Sequence, residues 1–476
     1  MARFSQVFRL NKTQAELDFV DVLLQTDNPI FVDPFAISQR PDQWSQQSHR
    51  TIVTFFQQVV DHIRRGNHDQ AKELLLHLQE PNETRLGLSA GKPQGAGVGY
   101  VQAKQIYEAL RDSTAVKSGF LTSLEECELM IDGISRDKIS DLTTNVIRRH
   151  LVTYTTGQCE LHNIPTQSMP LPSCFDPDTM QWVSDYYDLP VSKNGPVLLV
   201  PKAIVRYDPA YEHQRYYRHF VLNYLQVEHL QAGSSLVHTL RDGRKRVYKK
   251  ELERTYPLTK EFLYDFSRKH PKVLQDYRDN LKQLELTNLG KEVDPQDESE
   301  IARLLTQALR SIPPGGDAAS EYHSLMVGMV EFLFFPQLSH PVKEREIHEG
   351  RKRIDIVMEN SARDGVFHRQ HMIHKLPCGF VMFECKNYRT EVGNPELDQL
   401  AGRFGVNRGQ LGFICCRHFG DRPRFVRACK DTLMDGRGLI VPLDDEAVLR
   451  CLQVIEQEGR LNLERELSRM INEIRL

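Results

Sequence analysis

The sequence predicts an α/β protein, with a C-terminal mixed sheet flanked by helices and a mainly helical α+β region ahead of it. Three observations predict this. The runs at 379–384, 411–416 and 438–443 are short, apolar and bounded by turn residues, the pattern of strands buried on both faces. The segments between them, 395–404 and 425–434, carry helical spacing, so strands and helices alternate. Ahead of residue 312, helical patterns dominate.

Composition sets the limits. The 476 residues are 40% hydrophobic and 26% charged, which is enough apolar material for more than one core. No uncharged apolar run approaches the roughly 18 residues of a membrane span, which argues against a transmembrane protein. The opening Met-Ala-Arg-Phe-Ser-Gln lacks a basic region followed by an apolar stretch, so no secretory signal is expected. A net charge of −3 excludes a polybasic nucleic-acid coat but not a local basic patch. The nine cysteines are scattered and form no Cys-x-x-Cys pair. They fit reduced, buried thiols in a cytoplasmic protein better than a disulfide framework or a cysteine zinc site.

Each element follows from its pattern. Ile30-Phe31-Val32-Asp33-Pro34 reads as a strand ended by proline. Residues 51–79 have helical spacing through Ile52, Phe55, Val59 and Ile63. The glycine-rich stretch 91–99 is expected to be a flexible loop, because Pro93 stands where a phosphate-binding Walker loop needs Ser or Thr. Residues 101–110 return to helix. At 129–158 a helix is expected with Asp141 as its cap, ahead of Leu142, Ile147 and Leu151. Residues 165–172 read as a proline-rich loop, and 195–201 as a buried strand between prolines. The basic segment 241–250 reads as a solvated hairpin turning at Asp242-Gly243. Residues 258–286 and 298–311 are helical. Pro313-Pro314-Gly315-Gly316 can continue neither helix nor sheet and marks the expected main boundary. The predicted division is 1–160, an α+β sensor or assembly region; 161–312, a mixed helix-rich region; and 317–476, the mixed-sheet domain. In the last, 318–335 is an apolar helix and 346–357 holds two short strands around Gly350.

The chemistry concentrates in two strands, Ile354-Asp355-Ile356-Val357 and Phe383-Glu384-Cys385-Lys386-Asn387. Strand alternation puts Glu384 and Lys386 on one face, and Asp355 on a neighbouring strand can join them. Two carboxylates suit a hard divalent cation such as Mg²⁺. A lysine beside them can orient water or neutralise charge on a phosphate. With the basic turn Gly350-Arg351-Lys352-Arg353 ahead of Asp355, and the order of helices and strands, this arrangement resembles the PD-(D/E)XK nuclease superfamily, which includes restriction endonucleases and Holliday-junction resolvases. Ile354 replaces the motif proline. The resemblance covers roughly 318–443 and implies a restriction-endonuclease-like sheet.

The resemblance further implies Asp355, Glu384 and Lys386 as catalytic residues. A helix carboxylate, Glu321 or its competitor Glu331, would join Asp355 and Glu384 as metal ligands for Mg²⁺, with Mn²⁺ able to substitute. Gln399 and Arg403, one helical turn apart, are similar to the polar helix that flanks such sites. Arg351, Arg353, Asn387, Gln399 and Arg403 are the candidate nucleic-acid contacts, although the basic turn reads equally as solvated. His323, His340, His348, His368, His371 and His374 lack metal-ligand spacing and read as surface histidines.

The expected function is a metal-dependent endodeoxyribonuclease, of a bacterial anti-phage defence or restriction type, controlled by its N-terminal region. Its expected partners are DNA, further copies of itself and a regulatory ligand or protein, with no membrane. The alternatives are a resolvase-like repair nuclease and a catalytically idle nucleic-acid-binding protein.

Overall fold

Two hydrophobic cores organise the computed structural model, which describes residues 2–87, 97–121, 123–208, 210–288, 297–343 and 355–476. The first core gathers side chains from Phe4 to Leu281. The second gathers those from Ile301 to Ile474, with Ala15 and Leu161 added. Among the described residues no helix is long and apolar enough to cross a membrane. The cysteines are all free, and all but the half-buried Cys385 are fully buried.

In the first core, helix α1 (Gln43–Arg64) buries Ile52, Phe55, Val59 and Ile63, as its spacing predicts, and is capped by Asp42, which accepts from the Ser45 amide. The stretch expected to begin at Asp141 forms two helices instead, Arg136–Val146 and α2 (Arg148–His162). Ile139 is buried a turn earlier, so apolar packing starts the first helix at Arg136 and leaves Asp141 inside it. There its carboxyl accepts from Gln102 Nε2 at 3.0 Å. Burial, and then Asp137, push it up to about 7.

The expected loop at 165–172 contains a strand, Gln167–Pro170, paired antiparallel with Tyr186–Leu189. Pro170 sits at the end of an exposed two-stranded ribbon, where its missing N–H removes no ladder bond. The expected strand at 195–201 is buried and extended but pairs only briefly, at Gly195–Pro196 and in a single bridge from Pro201 to Phe19. Beyond that, Val197 N bonds Pro190 O, Leu198 N bonds Glu83 O and Leu199 N bonds Thr155 Oγ1. Each buried backbone group is satisfied by a different segment rather than by a ladder. The basic hairpin forms, with Lys245 and Arg246 opposite Thr239 and His238 and Gly243 in the left-handed region of the turn.

The domain limits differ from expectation. The first core runs across residue 160, which lies inside α2. Helix α3 (Glu298–Ser311) buries Ile301, Ala302, Leu305 and Leu309 in the second core. The change of unit therefore falls before Asp297, not at the Pro-Pro-Gly-Gly turn, which instead joins two elements of one core. Of the loop expected at 91–99, Gly97 to Gly99 open a helix, Gly97–Asp112, instead. Residues 91–96, the turn Arg351-Lys352-Arg353, His348 and the strand expected before Gly350 lie outside the described residues.

The second core is built on a mixed sheet of five strands in sequential order. These are β1 (Leu338–Val342), β2 (Ile356–Asn360), β3 (Phe380–Lys386), β4 (Leu411–Cys416) and β5 (Leu439–Asp444). The β1–β2 and β2–β3 pairs are antiparallel, whereas β3–β4 and β4–β5 are parallel. Helices α5 (Asn394–Ala401) and α6 (Arg422–Met434) make the parallel crossovers. Helix α4 (Ala319–Phe334) covers one face: Phe334 lies 5.5 Å from both Phe383 and Phe413, ring centre to ring centre. Helices α7 (Asp445–Glu458) and α8 (Leu463–Arg475) complete the layer.

A buried polar seam joins the two units. Asp18 accepts from Tyr154 Oη at 2.7 Å and from the His340 amide at 3.2 Å. Lys202 Nζ is 3.1 Å from Glu331 Oε1. Arg40 donates at 2.8 Å to the Ser339 and Ser361 hydroxyls. Most buried polar groups in proteins are partnered, and this seam supplies partners from across the junction.

Candidate active site

Register creates the site. Ile356 pairs with Phe383 across the antiparallel ladder, so the next step toward the start of β2 sets Asp355 opposite Glu384. The Asp355 carboxylate accepts from the Cys385 amide at 2.7 Å, which fixes it against the end of β3. Alternation places Glu384 and Lys386 together: Lys386 Nζ is 2.7 Å from Glu384 Oε1. The other Glu384 oxygen accepts from Arg403 Nη1.

Packing explains how Arg403 arrives there. Gly412 lies on the Glu384 face, and a Cβ on it would sit 3.0 Å from Leu400 and Phe404. Its absence lets α5 and the turn after it press onto the sheet. That turn begins at Gly402, earlier than the predicted helix end, and carries Arg403 inward.

The electrostatics follow from burial. Glu384 is 1% exposed, and its carboxyl is raised above the ordinary range, first by desolvation and then by the like charge of Asp355. Lys386 and Arg403 pull the other way. Burial acts to lower the Lys386 ammonium, but the Glu384 carboxylate outweighs it and holds the group above its ordinary value. Lys386, 17% exposed, and the half-buried Asp355 are reached by solvent, whereas Glu384 is not.

The other predicted residues fall elsewhere. Glu321 is exposed in the first turn of α4, and among the described residues no bond links it to Glu384 or Asp355. Helix α4 packs on the Phe383 face of the sheet, opposite the face that carries Glu384. Glu331, its competitor, is buried and belongs to the seam with Lys202. The α4 side chain that approaches the site is His323, whose Nε2 is 3.4 Å from the Asp355 carbonyl oxygen. Burial keeps His323 below its ordinary pKa.

Asn387 is buried and donates to Pro313 O and Gly315 O at 3.1 and 2.8 Å, so it pins the Pro-Pro-Gly-Gly turn and is not placed as an exposed contact. Arg403, 2% exposed, is likewise a partner of Glu384 rather than an exposed phosphate contact. Gln399 is exposed on α5. Arg351 and Arg353 lie outside the described residues.

Sequence reasoning missed a second cluster. His340, expected at the surface, is 3% exposed and stands in the left-handed region at a bulge in β1. It forms a group with Asp42 and Glu359. No local motif announces it, because its three residues come from a helix cap and two strands about 300 positions apart in sequence.

A family model described as "Domain of unknown function (DUF8370)" matches residues 9–212, within the first unit. No curated protein and no solved structure matches the chain.

Proposed function

We propose that the chain is a metal-dependent nuclease that hydrolyses DNA phosphodiester bonds at Asp355, Glu384 and Lys386. The observation that carries this reading is the convergence of two carboxylates and a partly exposed lysine at the end of β3. The donor set fits Mg²⁺: Asp355 raises the proton affinity of Glu384, a conflict between like charges that a divalent cation relieves. When bound there, Mg²⁺ (or Mn²⁺ in its place) supplies Lewis acidity and a water of lowered pKa.

The chain's own residues do the rest. Asp355 and Glu384 present carboxylate oxygens from adjacent strands. Lys386, released from Glu384 by substrate, neutralises the charge that develops on the scissile phosphate. Arg403 keeps Glu384 ionised and aimed. The first unit, rigidly keyed to β1 and α4 through the seam, acts as the controlling region of a defence or restriction-type effector.

One observation favours a second reading, an idle nuclease-like fold that binds nucleic acid without cutting. Both Glu384 oxygens are held by cationic side chains, and Glu321 stands apart. Incubating the full chain with supercoiled, linear and branched DNA in Mg²⁺, Mn²⁺ and EDTA, beside Lys386→Ala, tests these readings. Metal-dependent cutting lost in the variant supports the nuclease, and a preference for branched DNA identifies a resolvase-like enzyme. DNA binding without cutting in any metal supports the idle fold.

A further inference from the structure

The cluster at the seam is separate from this site. Glu359 lies four residues along β2 from Asp355, about 13 Å at the rise of a strand. Asp42 comes from the cap of α1, His340 from β1 and Glu359 from β2. One ligand atom from each lies within 4.8 Å of the others.

We propose that Asp42, His340 and Glu359 bind one divalent cation of the zinc type, which joins the first unit to the edge of the sheet.

The geometry supports it. His340 Nδ1 stands 3.4 Å from Asp42 Oδ1. That is about the edge of a tetrahedron whose metal–ligand bonds are about 2.0–2.1 Å. The imidazole is sealed from solvent between Trp44 and Tyr154, with ring centres 5.1 and 5.7 Å away.

Asp42 Oδ1, the oxygen nearest His340, also accepts from the Ser45 amide at 2.9 Å, which leaves it a second lone pair for a cation. Arg40 binds Asp42 through Oδ2, 2.9 Å away, on the side opposite His340. The Trp44 amide holds Glu359 Oε2 at 3.0 Å and so orients the carboxylate. The Ser339 hydroxyl, 3.2 Å from His340 Nδ1, is a further oxygen near the fourth position.

The donor set selects the ion. One imidazole nitrogen with two carboxylates suits zinc, whereas Mg²⁺ prefers an all-oxygen octahedron with retained waters. The buried Asp18, on the His340 amide, adds negative charge that offsets Arg40. Because the ligands come from both units, metal affinity and the stability of the junction are one quantity.

The test uses the untagged full chain, loaded with Zn²⁺, desalted, and measured for zinc per chain by mass spectrometry and for thermal midpoint with and without chelator. We expect about one zinc per chain, and a midpoint that falls on chelation. His340→Gln and Glu359→Gln should each hold less than about a tenth of that zinc and lose the response to chelator. Glu359→Gln keeps an oxygen for the Trp44 amide, so it decides the matter if His340→Gln does not fold. Glu300→Gln, an exposed carboxylate on α3, should bind zinc like the native chain. A native chain without stoichiometric zinc after loading, or variants that retain it, overturns the proposal.

Discussion

Two of the chain's lysine–glutamate pairs differ in access. Lys386 and Glu384 meet at the end of β3, where the glutamate is sealed and the lysine reaches solvent. Lys202 and Glu331 meet at the seam, where both are at most 3% exposed and Phe335 lies 4.2 Å beneath the ammonium. The same two side chains can thus serve a reaction in one place and a joint in the other. A pair whose cation can leave without stranding its partner is open to substrate. Glu384 meets that condition because Arg403 holds its second oxygen. Glu331 has no such second cation among its recorded ion pairs with described residues.

The largest effect should come from removing that second support. Arg403→Leu leaves buried Glu384 with a single, partly exposed cation. It is expected to cost about 3–5 kcal/mol in denaturant unfolding. A loss below about 1 kcal/mol would mean that Arg403 is dispensable to the cluster.

Next comes Lys386→Ala. Its pair is partly open to solvent, so stability should change by only about 1 kcal/mol. DNA cleavage should fall on the order of 100-fold or more. A variant that cuts like the native chain removes Lys386 from the chemistry.

Gly412→Ala tests how Arg403 is delivered. The added methyl meets Leu400 and Phe404 at 3.0 Å. It should cost about 1–3 kcal/mol and weaken cleavage by displacing the turn after α5. Wild-type stability and cleavage would show that the turn adjusts without moving Arg403.

The smallest effect, near about pH 4, belongs to Glu331→Gln. Burial pushes the Glu331 carboxyl up to about 8, with Lys202 opposing and Asp18 adding to the rise. Its folded value lies above the unfolded one, so its contribution to stability is full below the unfolded carboxylate range and is lost as pH rises through about 8. The amide copies the protonated acid. The thermal midpoint of the variant should match the native chain only near about pH 4, exceed it increasingly as pH rises toward about 8, and keep that lead above it. Parallel curves across that range would mean that Glu331 is ionised throughout.

The sequence exposed the sheet better than it exposed the contacts between units. Leu411–Cys416 and Glu298–Ser311 occur at the predicted limits, because apolar runs and helical spacing are local signals. Asp355, Glu384 and Lys386 come together for the same reason, since alternation and register suffice. Glu321 is distant because its helix packs on the other face, and sequence spacing carries no face. Arg403 was visible as a polar residue near the site, but its inward turn depends on the missing Cβ of Gly412. The Asp42, His340 and Glu359 group exists only after two units dock. Residues 165–172 formed a strand because their pairing partner lies at Tyr186–Leu189, where turn composition gives no hint.

The order of synthesis gives the seam another consequence. Asp18, Arg40, Asp42 and Lys202 leave the ribosome early, whereas the strands and helices that satisfy them follow from Ala319 onward. A nascent first unit therefore presents polar groups that are destined for burial and still wet. Its final closure waits for the last third of the chain. A premature stop would yield a fragment with an unmatched face, and protein quality control would recognise that face as unfinished.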